Sequence, residues 1–562
     1  MREAERVALT IPQEYGRREA LGGIAMAVAV SDPDWAERVV AAVDDENWRT
    51  QKLAWIAVAW TDGDPDRAVR TATALTSAFW QEDALAGVAV KLAARDPDRA
   101  LQVAGTVGQG RRQANALQAI AKVLAADDPV RAERAVAAIR DDAGKAQALF
   151  GIAPELLAHG TDRVMRMADA ITDFTWKPYA LAGIAVALAA VDPDRAVRVA
   201  LDIGGGTKTA QALTGIAVAL ATRDPDRALH VAGSVTAADE RALALARLAG
   251  ELAADDPARA RRAAAGAERA TDSITDAELT RSTRFRVACS LALGDPECAE
   301  RMAAALTDET QKVSALGTIA RALAAGDPDN AVRVAGSISD EAQKANVLGD
   351  IAGPLAYRDP DRAEQVVAVI DDPGWKARSL ARIAKAQAVS DPERAERAVV
   401  QALSVADTIA DRPGKDFVLT LIVEALAVRD PDRALRVTDA ITDDRRRALA
   451  LTAVAVESAA VAPERAERIA AAILAIEVNG KVGKSGTLVK IVGAMLAGDP
   501  VRAVRVAASI ANQDTKGFTL GAIAAEMAAG DPDHAERIVA VITEPYYKAR
   551  ALTQIARVWL GE

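Results

Sequence analysis

The fold of this chain is set by a short stretch at residues 192–203, DPDRAVRVALDI. An aspartate followed by proline is typical of a helix start, because aspartate caps free amides and proline at the first helical position lacks an N–H that would have no partner. Ala196, Val199, Ala200 and Ile203 then follow the i, i+3, i+4, i+7 spacing of one helical face. The stretch predicts a short amphipathic helix.

Copies of this stretch recur along the whole chain, in most cases at a period of 32 residues. Longer gaps of 39, 39 and 37 residues follow Pro257, Pro392 and Pro463, and Thr161 replaces proline in one degenerate copy. The copies begin near residues 1, 33, 65, 97, 129, 161, 193, 225, 257, 296, 328, 360, 392, 431, 463, 500 and 532. No stretch falls outside the register, which predicts a single domain over residues 1–562.

Each copy contains a second apolar segment after a polar turn. In one copy Asp340 lies in the turn, and Leu348, Ile351, Ala352 and Leu355 follow at helical spacing. This segment is apolar over more of its circumference, so we expect it to be the more buried helix. One copy buries too little apolar surface to offset its own backbone entropy, so the copies must stack. The pattern predicts an all-α fold, a right-handed α-solenoid of about 17 two-helix repeats that is curved or superhelical.

Helical-hairpin repeat families share these features. Asp340 in the turn and Lys344 early in the second helix resemble HEAT repeats, and the Asp-Pro-Asp junction between copies resembles tetratricopeptide repeats. The 32-residue period is shorter than is usual in either family, and the tetratricopeptide Trp-Leu-Gly-Tyr signature is missing. The resemblance implies a HEAT-like or tetratricopeptide-like α-solenoid, and it implies no particular binding residues.

Composition narrows the classes of function. The chain carries 69 basic and 79 acidic residues, a formal charge of −10, which disfavours attraction to nucleic acid or to an anionic membrane. The two cysteines form no metal or redox spacing, and the first residues lack an apolar signal segment, so we expect a cytoplasmic protein. The longest apolar runs are too short to cross a bilayer, and we expect no membrane association.

One segment ends in Gly483-Lys484-Ser485, like a phosphate-binding loop. Such a loop needs an earlier glycine where this chain has Val478, and it must follow a strand. Lys484 instead belongs to a column of cations sixteen residues before the next proline position, and we expect an insertion to displace it into a glycine-rich loop. This basic column comprises Arg17, Arg49, Lys145, Lys177, Arg241, Lys312, Lys344, Lys376, Lys415, Arg447, Lys484, Lys516 and Lys548.

Aromatic residues gather beside the basic column. Those that immediately precede it are Trp48, Trp80, Trp176, Trp375 and Tyr547. The rings and cations either recognise a ligand or close the ends of the helical hairpins. The three insertions fall at the same turn, where they either mark a binding edge or add two turns of helix. We expect this edge to contribute to partner recognition through Lys376, Lys415, Lys484 and Trp375.

Arginine forms two further columns, two and five residues past the proline position, for example Arg195 and Arg198. A track for phosphate groups is one interpretation. The other is a structural ladder, because an acid usually follows the proline and can pair with the second arginine at i, i+4 or with a stacked neighbour. The charges roughly cancel within each copy, which favours ladders.

The sequence favours a non-enzymatic binding scaffold whose concave surface holds an extended peptide or a partner protein. Exposed second-helix residues there would include the amides Asn115, Gln147, Gln211 and Asn346. An elongated small molecule bound inside the superhelix is an alternative, and nucleic-acid binding along a basic column is a second one that the net charge disfavours. No catalytic triad, HExxH motif or metal-ligand cluster appears, so we expect no catalytic residue, cofactor or metal.

Overall fold

The computed structural model describes the backbone of residues 2–108, 110–476, 481–496 and 498–560, without the side chains of residues 481–485, 559 and 560. Over these residues the chain forms 34 α-helices and no strand, so the prediction of an all-α fold of paired helices is confirmed. No helix in this part of the chain is both long and apolar enough to cross a membrane.

The helices alternate between a first and a second helix of each repeat. The first helices are α1 (Arg2–Leu9), α3 (Pro33–Ala41), α5 (Pro65–Thr73), α7 (Pro97–Thr106), α9 (Pro129–Ala138), α11 (Thr161–Asp169), α13 (Pro193–Asp202), α15 (Pro225–Gly233), α17 (Pro257–Asp272), α19 (Pro296–Ala304), α21 (Pro328–Gly336), α23 (Pro360–Ala368), α25 (Pro392–Asp407), α27 (Pro431–Thr438), α29 (Pro463–Ala475), α31 (Pro500–Ala508) and α33 (Pro532–Val541). Their starts coincide with the predicted starts of the copies.

The second helices are longer, most of them by about five residues. They are α2 (Glu14–Val28), α4 (Glu46–Trp60), α6 (Ala78–Leu92), α8 (Arg111–Leu124), α10 (Asp142–Leu157), α12 (Trp176–Leu188), α14 (Thr207–Leu220), α16 (Ala238–Leu252), α18 (Ala277–Ser290), α20 (Glu309–Leu323), α22 (Glu341–Arg358), α24 (Pro373–Gln387), α26 (Arg412–Ala427), α28 (Asp444–Ser458), α30 (Lys481–Leu496), α32 (Gln513–Met527) and α34 (Pro545–Leu560).

Many helices of both kinds begin with a side-chain cap. At α13 the Asp192 carboxylate accepts the N–H of Arg195 at 2.9 Å, and at α22 the Asp340 carboxylate accepts the N–H of Gln343 at 2.9 Å. Proline occupies the first helical position of α13, as the sequence predicts. Where such an aspartate is present, it fixes the start of its helix.

The second helices hold most of the core. In α12, Leu181, Ile184, Ala185 and Leu188 are buried, whereas the shorter α13 buries only three residues. Second helices pack on the second helices of adjacent repeats and on the following first helix, while first helices contact each other less. The abundance of alanine at these contacts allows the helix axes to approach closely.

The chain separates into two compact units, one made of residues 25–319 and the other of residues 1–24 with 320–562. The boundaries fall inside α2 and α20. In the unit that contains both chain ends, α1 packs on α34, and a Cβ at Gly16 of α2 would lie 3.7 Å from the Cβ of Tyr546. The first repeat of this unit therefore contacts the last one.

The three long copies carry their extra residues in the first helix. Helices α17 and α25 each contain 16 residues and α29 contains 13, compared with the 10 residues of α13. The six added residues of α17 and α25 correspond to nearly two helical turns, and the three of α29 to about one. The structure shows added helix at these copies, and the binding edge stays a prediction.

Candidate functional site

The cations of the basic column mainly contact groups of their own repeat. The Nζ atoms of Lys177 and Lys415 lie 3.1 and 2.9 Å from the carboxylates of Asp169 and Asp407, which are the last residues of α11 and α25. Lys376 Nζ donates to the carbonyl of Ala368, the last residue of α23, at 3.2 Å. These lysines supply positive charge to the C-terminal end of the preceding helix, where unpaired carbonyls and the helix dipole favour a cation.

Lys484 lies in the first turn of α30 rather than in a loop, so the predicted displacement into a glycine-rich loop is wrong. Residues 477–480, with Val478, and the Lys484 side chain lie outside the described part of the chain. The segment also follows helix α29, and the described residues contain no strand that could begin a phosphate-binding loop. The backbone therefore lacks the strand-loop-helix context that nucleotide binding at this lysine would need.

The arginines two residues past the proline form a ladder between repeats. Arg67 Nη2 lies 2.8 Å from the carboxylate of Asp34, and Arg195 Nη2 lies 2.6 Å from that of Asp162. Further rungs are Arg99–Asp66, Arg131–Asp98, Arg227–Asp194, Arg259–Asp226, Arg362–Asp329, Arg394–Asp361, Arg433–Glu396, Arg465–Asp432 and Arg502–Glu464. Each arginine takes the acid of the preceding repeat, so this column has a structural role.

This ladder engages the acids that the arginines five residues past the proline were expected to pair with. The hydrogen bond from Arg195 is the main reason that the pKa of Asp162 lies below its usual value, and the charge of Arg166 contributes less. The i, i+4 neighbour is thus the weaker partner of the acid. Arg166 and most of its counterparts remain exposed on the first helices.

The aromatic residues beside the basic column pack between adjacent second helices. The rings of Trp80 in α6 and Trp55 in α4 meet edge to face with centroids 6.4 Å apart. Trp48 is 8% exposed, and Lys52 Nζ lies 4.9 Å from its ring centroid and 4.4 Å from that of Trp55. These rings therefore pack along α4 and against α6, where the contact between Trp55 and Trp80 links neighbouring repeats.

The remaining predicted rings follow the same pattern. Trp176 meets Tyr179 of the same helix with centroids 5.9 Å apart, and Tyr179 stacks on Phe150 of α10 at 5.0 Å. Tyr547 of α34 lies so close to α32 that a Cβ at Gly517 would come within 2.7 Å of its Cβ. Small residues on one second helix thus make room for rings on the next.

A groove of about 1170 Å³ lies on α12, α14, α16 and α18 within the unit of residues 25–319. We call it the second-helix groove. Its lining includes the apolar residues Val186, Val218, Leu243, Phe285 and Leu293 and the polar or charged residues Gln211, Thr214, Glu240, Arg247, Glu251, Arg286, Cys289 and Ser290. A Cβ atom added at Gly215 would lie only 2.6 Å from Val186 Cγ2. The glycine therefore allows the Val186 side chain to pack directly on the backbone of α14.

The amides predicted on the second helices occupy this same face. Asn115, Gln147 and Gln211 are exposed, Asn346 is half-buried, and Gln211 lines the second-helix groove. Lys208 Nζ donates to Gln211 Oε1 at 3.2 Å, while Asn115 and Gln147 have no hydrogen bond to any described residue. Their amide groups are available to donors and acceptors of a ligand.

A second set of cations and rings lies on α24, α26 and α28, in the other unit. The Cζ atom of Arg378 is 4.0 Å from the centroid of Trp375 and 4.6 Å from that of Phe417, and Arg446 Cζ is 4.9 Å from Phe417. Trp375 can lie across α22 because Gly349 has no Cβ there. The lysine column led sequence reasoning to Trp375, but the cations that contact these rings are arginines of the second-helix face.

Catalytic candidates do not come together in the described residues. His159 Nε2 lies 2.8 Å from the carbonyl of Ala126 in a turn, His230 is exposed, and His534 lies beside its own N-cap Asp531. Burial raises the pKa of the Cys298 thiol to about 12, which leaves it protonated and unreactive. No group of three or more potential metal ligands occurs in the part of the chain that the structure describes.

Comparisons with known proteins found solved structures of low sequence identity and low TM-score. No family model and no curated protein sequence matches the chain. A crystal structure of Ton1535 from Thermococcus onnurineus NA1 is 18% identical, covers 65% of this chain and 95% of its own, and has a TM-score of 0.23. Importin beta, 13% identical, covers 96% of this chain and 77% of its own with a TM-score of 0.36, and a Kap121p mutant, 12% identical, covers 98% and 66% with a TM-score of 0.33.

Proposed function

We propose that this protein is a non-enzymatic binding scaffold that holds an extended peptide segment of a partner protein on the exposed face of its second helices. The observation that carries the proposal is the second-helix groove, whose apolar floor lies beside exposed charges and the amide of Gln211. Apolar pockets for side chains and amides for a peptide backbone are what an extended peptide requires.

Two charged residues of the groove are well placed to orient such a peptide. Arg247 and Arg286 are exposed, lie on adjacent second helices, and form no ion pair with a described carboxylate within 4.0 Å. The carboxylates of Glu240 and Glu251 lie along the same groove. Charges of both signs would fix the direction and register of a bound segment, while the apolar floor would provide most of the affinity.

A displayed library of random peptides, selected on the purified protein, tests this proposal. Enriched peptides are then titrated by fluorescence anisotropy against the wild type and Ala219→Trp, which fills the groove from an exposed position on α14. The matched control is Ala258→Trp, on an exposed position of first helix α17. We expect the groove variant to weaken binding by about tenfold or more and the control to leave it unchanged.

The alternatives give different results in the same preparation. Native mass spectrometry of the purified protein that shows one bound small molecule, lost in Ala219→Trp, would assign the groove to an elongated small molecule instead. Peptides that bind equally well to both tryptophan variants would remove the groove from the binding surface. No enrichment of any peptide would contradict the scaffold function proposed here.

A further inference from the structure

Three arginines and two rings form a compact cluster on the second helices α24, α26 and α28. We call Arg378, Arg382, Arg446, Trp375 and Phe417 the guanidinium cluster. Arg378 lies between the two rings, Arg446 stacks on Phe417, and Arg382 is one helical turn from Arg378. Stacking on both rings fixes the plane of the Arg378 guanidinium and leaves its N–H groups directed along the plane.

The cluster carries positive charge without a carboxylate partner. None of its three arginines forms an ion pair within 4.0 Å of any acid in the described ranges, and the buried Nε atom of Arg378 has no hydrogen-bond partner. Desolvation and the charge of Arg382 lower the pKa of Arg378. Like charges held together on a partly buried surface are unfavourable unless an anion compensates them.

Two of the other arginines that stack on rings have carboxylate partners. Arg67 lies 4.5 Å from the Trp60 centroid and pairs with Asp34 at 2.8 Å and with Glu37 at 3.1 Å. Arg112, 3.9 Å from the Phe79 centroid, is 3.6 Å from the Glu82 carboxylate. Arg550, 5.0 Å from the Phe518 centroid, stacks without an ion pair to a described acid, but it is a single cation. What distinguishes the guanidinium cluster is therefore that three arginines lie together without such an acid.

Three acids on the same or adjacent second helices are engaged elsewhere. Asp350 binds Arg321 at 3.0 Å, and Glu424 binds Lys385 at 3.0 Å. Asp416 is 4% exposed and accepts the hydroxyl of Thr442 at 2.7 Å along with backbone N–H groups of the next turn. Arg382 Nη1 donates to the carbonyl of Gly349 at 3.4 Å, whereas the side chains of Arg378 and Arg446 form no hydrogen bond to a described residue. Since each of these carboxylates has its own structural role, the remaining donors of the cluster are available to an external anion.

We propose that the guanidinium cluster binds the carboxylates of an acidic peptide segment. Arginine pairs with a carboxylate through two parallel hydrogen bonds, and three arginines on α24 and α28 offer several such pairs to one extended segment. The net charge of −10 opposes any anion, but it opposes a long polyanion such as nucleic acid more than a short acidic segment that contacts only the cluster. The site lies on other helices than the second-helix groove, and it rests on the proposed function only in taking a peptide as its ligand.

The probe is a fluorescein-labelled oligoglutamate peptide, titrated by anisotropy against the full-length protein at low salt. The variant R378Q/R382Q/R446Q removes the three charges, and we expect it to weaken binding by about 30-fold or more. The double variant R382Q/R446Q keeps the stacked Arg378 in place in case its loss disturbs folding, and here we expect about a tenfold loss. Circular dichroism confirms that each variant is folded.

The matched control is R397Q/R436Q/R468Q, which removes three exposed arginines from the first helices α25, α27 and α29 of the same unit. We expect the control to retain binding within about twofold, because distant surface charges contribute little. An equal loss in control and cluster variants would overturn the proposal. So would tighter binding of a labelled oligonucleotide, or full competition by inorganic phosphate at the same charge concentration. Because the groove variant Ala219→Trp leaves the cluster intact, failure of one site is distinguishable from failure of the other.

Discussion

At the scale of single residues, Asp142 shows how one side chain ties a repeat to the next. Its Oδ2 accepts the Thr172 N–H at 2.8 Å, the Thr172 hydroxyl at 2.9 Å and the Asp173 N–H at 2.8 Å. These hydrogen bonds stabilise the ionised form and lower the pKa of Asp142 to about 2. A carboxylate at the start of α10 thus holds the turn that precedes α12.

The substitution Asp142→Ala should lower the free energy of unfolding by about 1–3 kcal/mol near neutral pH, because three polar groups of the next turn lose a charged acceptor. Thermal or urea unfolding compared with Asp44→Ala, which replaces an exposed aspartate, measures this effect. An equal effect of both substitutions would show that the three hydrogen bonds contribute nothing.

The same residue predicts a pH dependence with a definite sign. The folded pKa of about 2 lies below the unfolded value near 3.9, so its contribution is complete above about pH 5 and is lost as pH falls towards 2. The difference in unfolding free energy between wild type and Asp142→Ala should therefore be constant from about pH 5 to 7 and shrink towards pH 3. A difference that grows on acidification would contradict this assignment.

The role of a residue was predictable from the sequence where it depends on the local chain. It was less predictable where it depends on contacts with a neighbouring repeat. The caps Asp192 and Asp340 follow from the sequence because each binds an amide three residues later. The partner of Asp162 is not local, because Arg195 of the next repeat takes it. The lysine column was correctly identified as repeated, but its contact with the end of the preceding helix depends on how the hairpin closes.

At the scale of the helical hairpin, Lys376 and Lys415 are predicted to be structural. Lys376→Gln and Lys415→Gln remove cations from the C-terminal ends of α23 and α25, which should cost about 0.3–1 kcal/mol each. Binding of oligoglutamate should stay within about twofold of the wild-type affinity, because neither lysine belongs to the guanidinium cluster. Unfolding and anisotropy titrations of the double variant check both parts. A large loss of binding with unchanged stability would restore the lysine column as a recognition edge.

The added turns of α25 give a second prediction about elements. Seven residues advance a helix by about 700°, nearly two full turns, whereas five residues leave it rotated by about 140°. Deletion of residues 401–407 should therefore leave the turn after α25 in nearly its present orientation about the helix axis, and deletion of residues 401–405 should rotate this turn out of position. Thermal melts of the two deletions compare them directly. We expect the shorter deletion to be the more destabilising, and the opposite order would contradict the helical register.

At the scale of the whole molecule, the period of 32 residues predicted the number and type of helices but not which distant repeats meet. A repeat encodes its contacts with its immediate neighbours, and the small rotation from one repeat to the next is spread over many alanine contacts. No single residue signals the packing of α1 on α34. The second-helix groove was foreseen in part, through Gln211, because this position is polar on an otherwise apolar helix.

The contact between α1 and α34 can be tested with spin labels at Thr10 and Thr543, which are both exposed near these helices. Seventeen hairpins stacked in a straight line at about 9 Å each would place the two ends on the order of 150 Å apart. Packing of α1 on α34 instead predicts a distance below about 30 Å between labels, since helices in contact have axes about 10 Å apart. Double electron–electron resonance on the labelled protein, with Cys289 and Cys298 replaced by serine, measures this distance. Deletion of residues 2–9 should remove the packing of α1 on α34 and lower the melting temperature, because the surface of α34 that α1 covers becomes exposed. A long distance between the labels, together with an unchanged melting temperature, would show that the first repeat does not pack on the last.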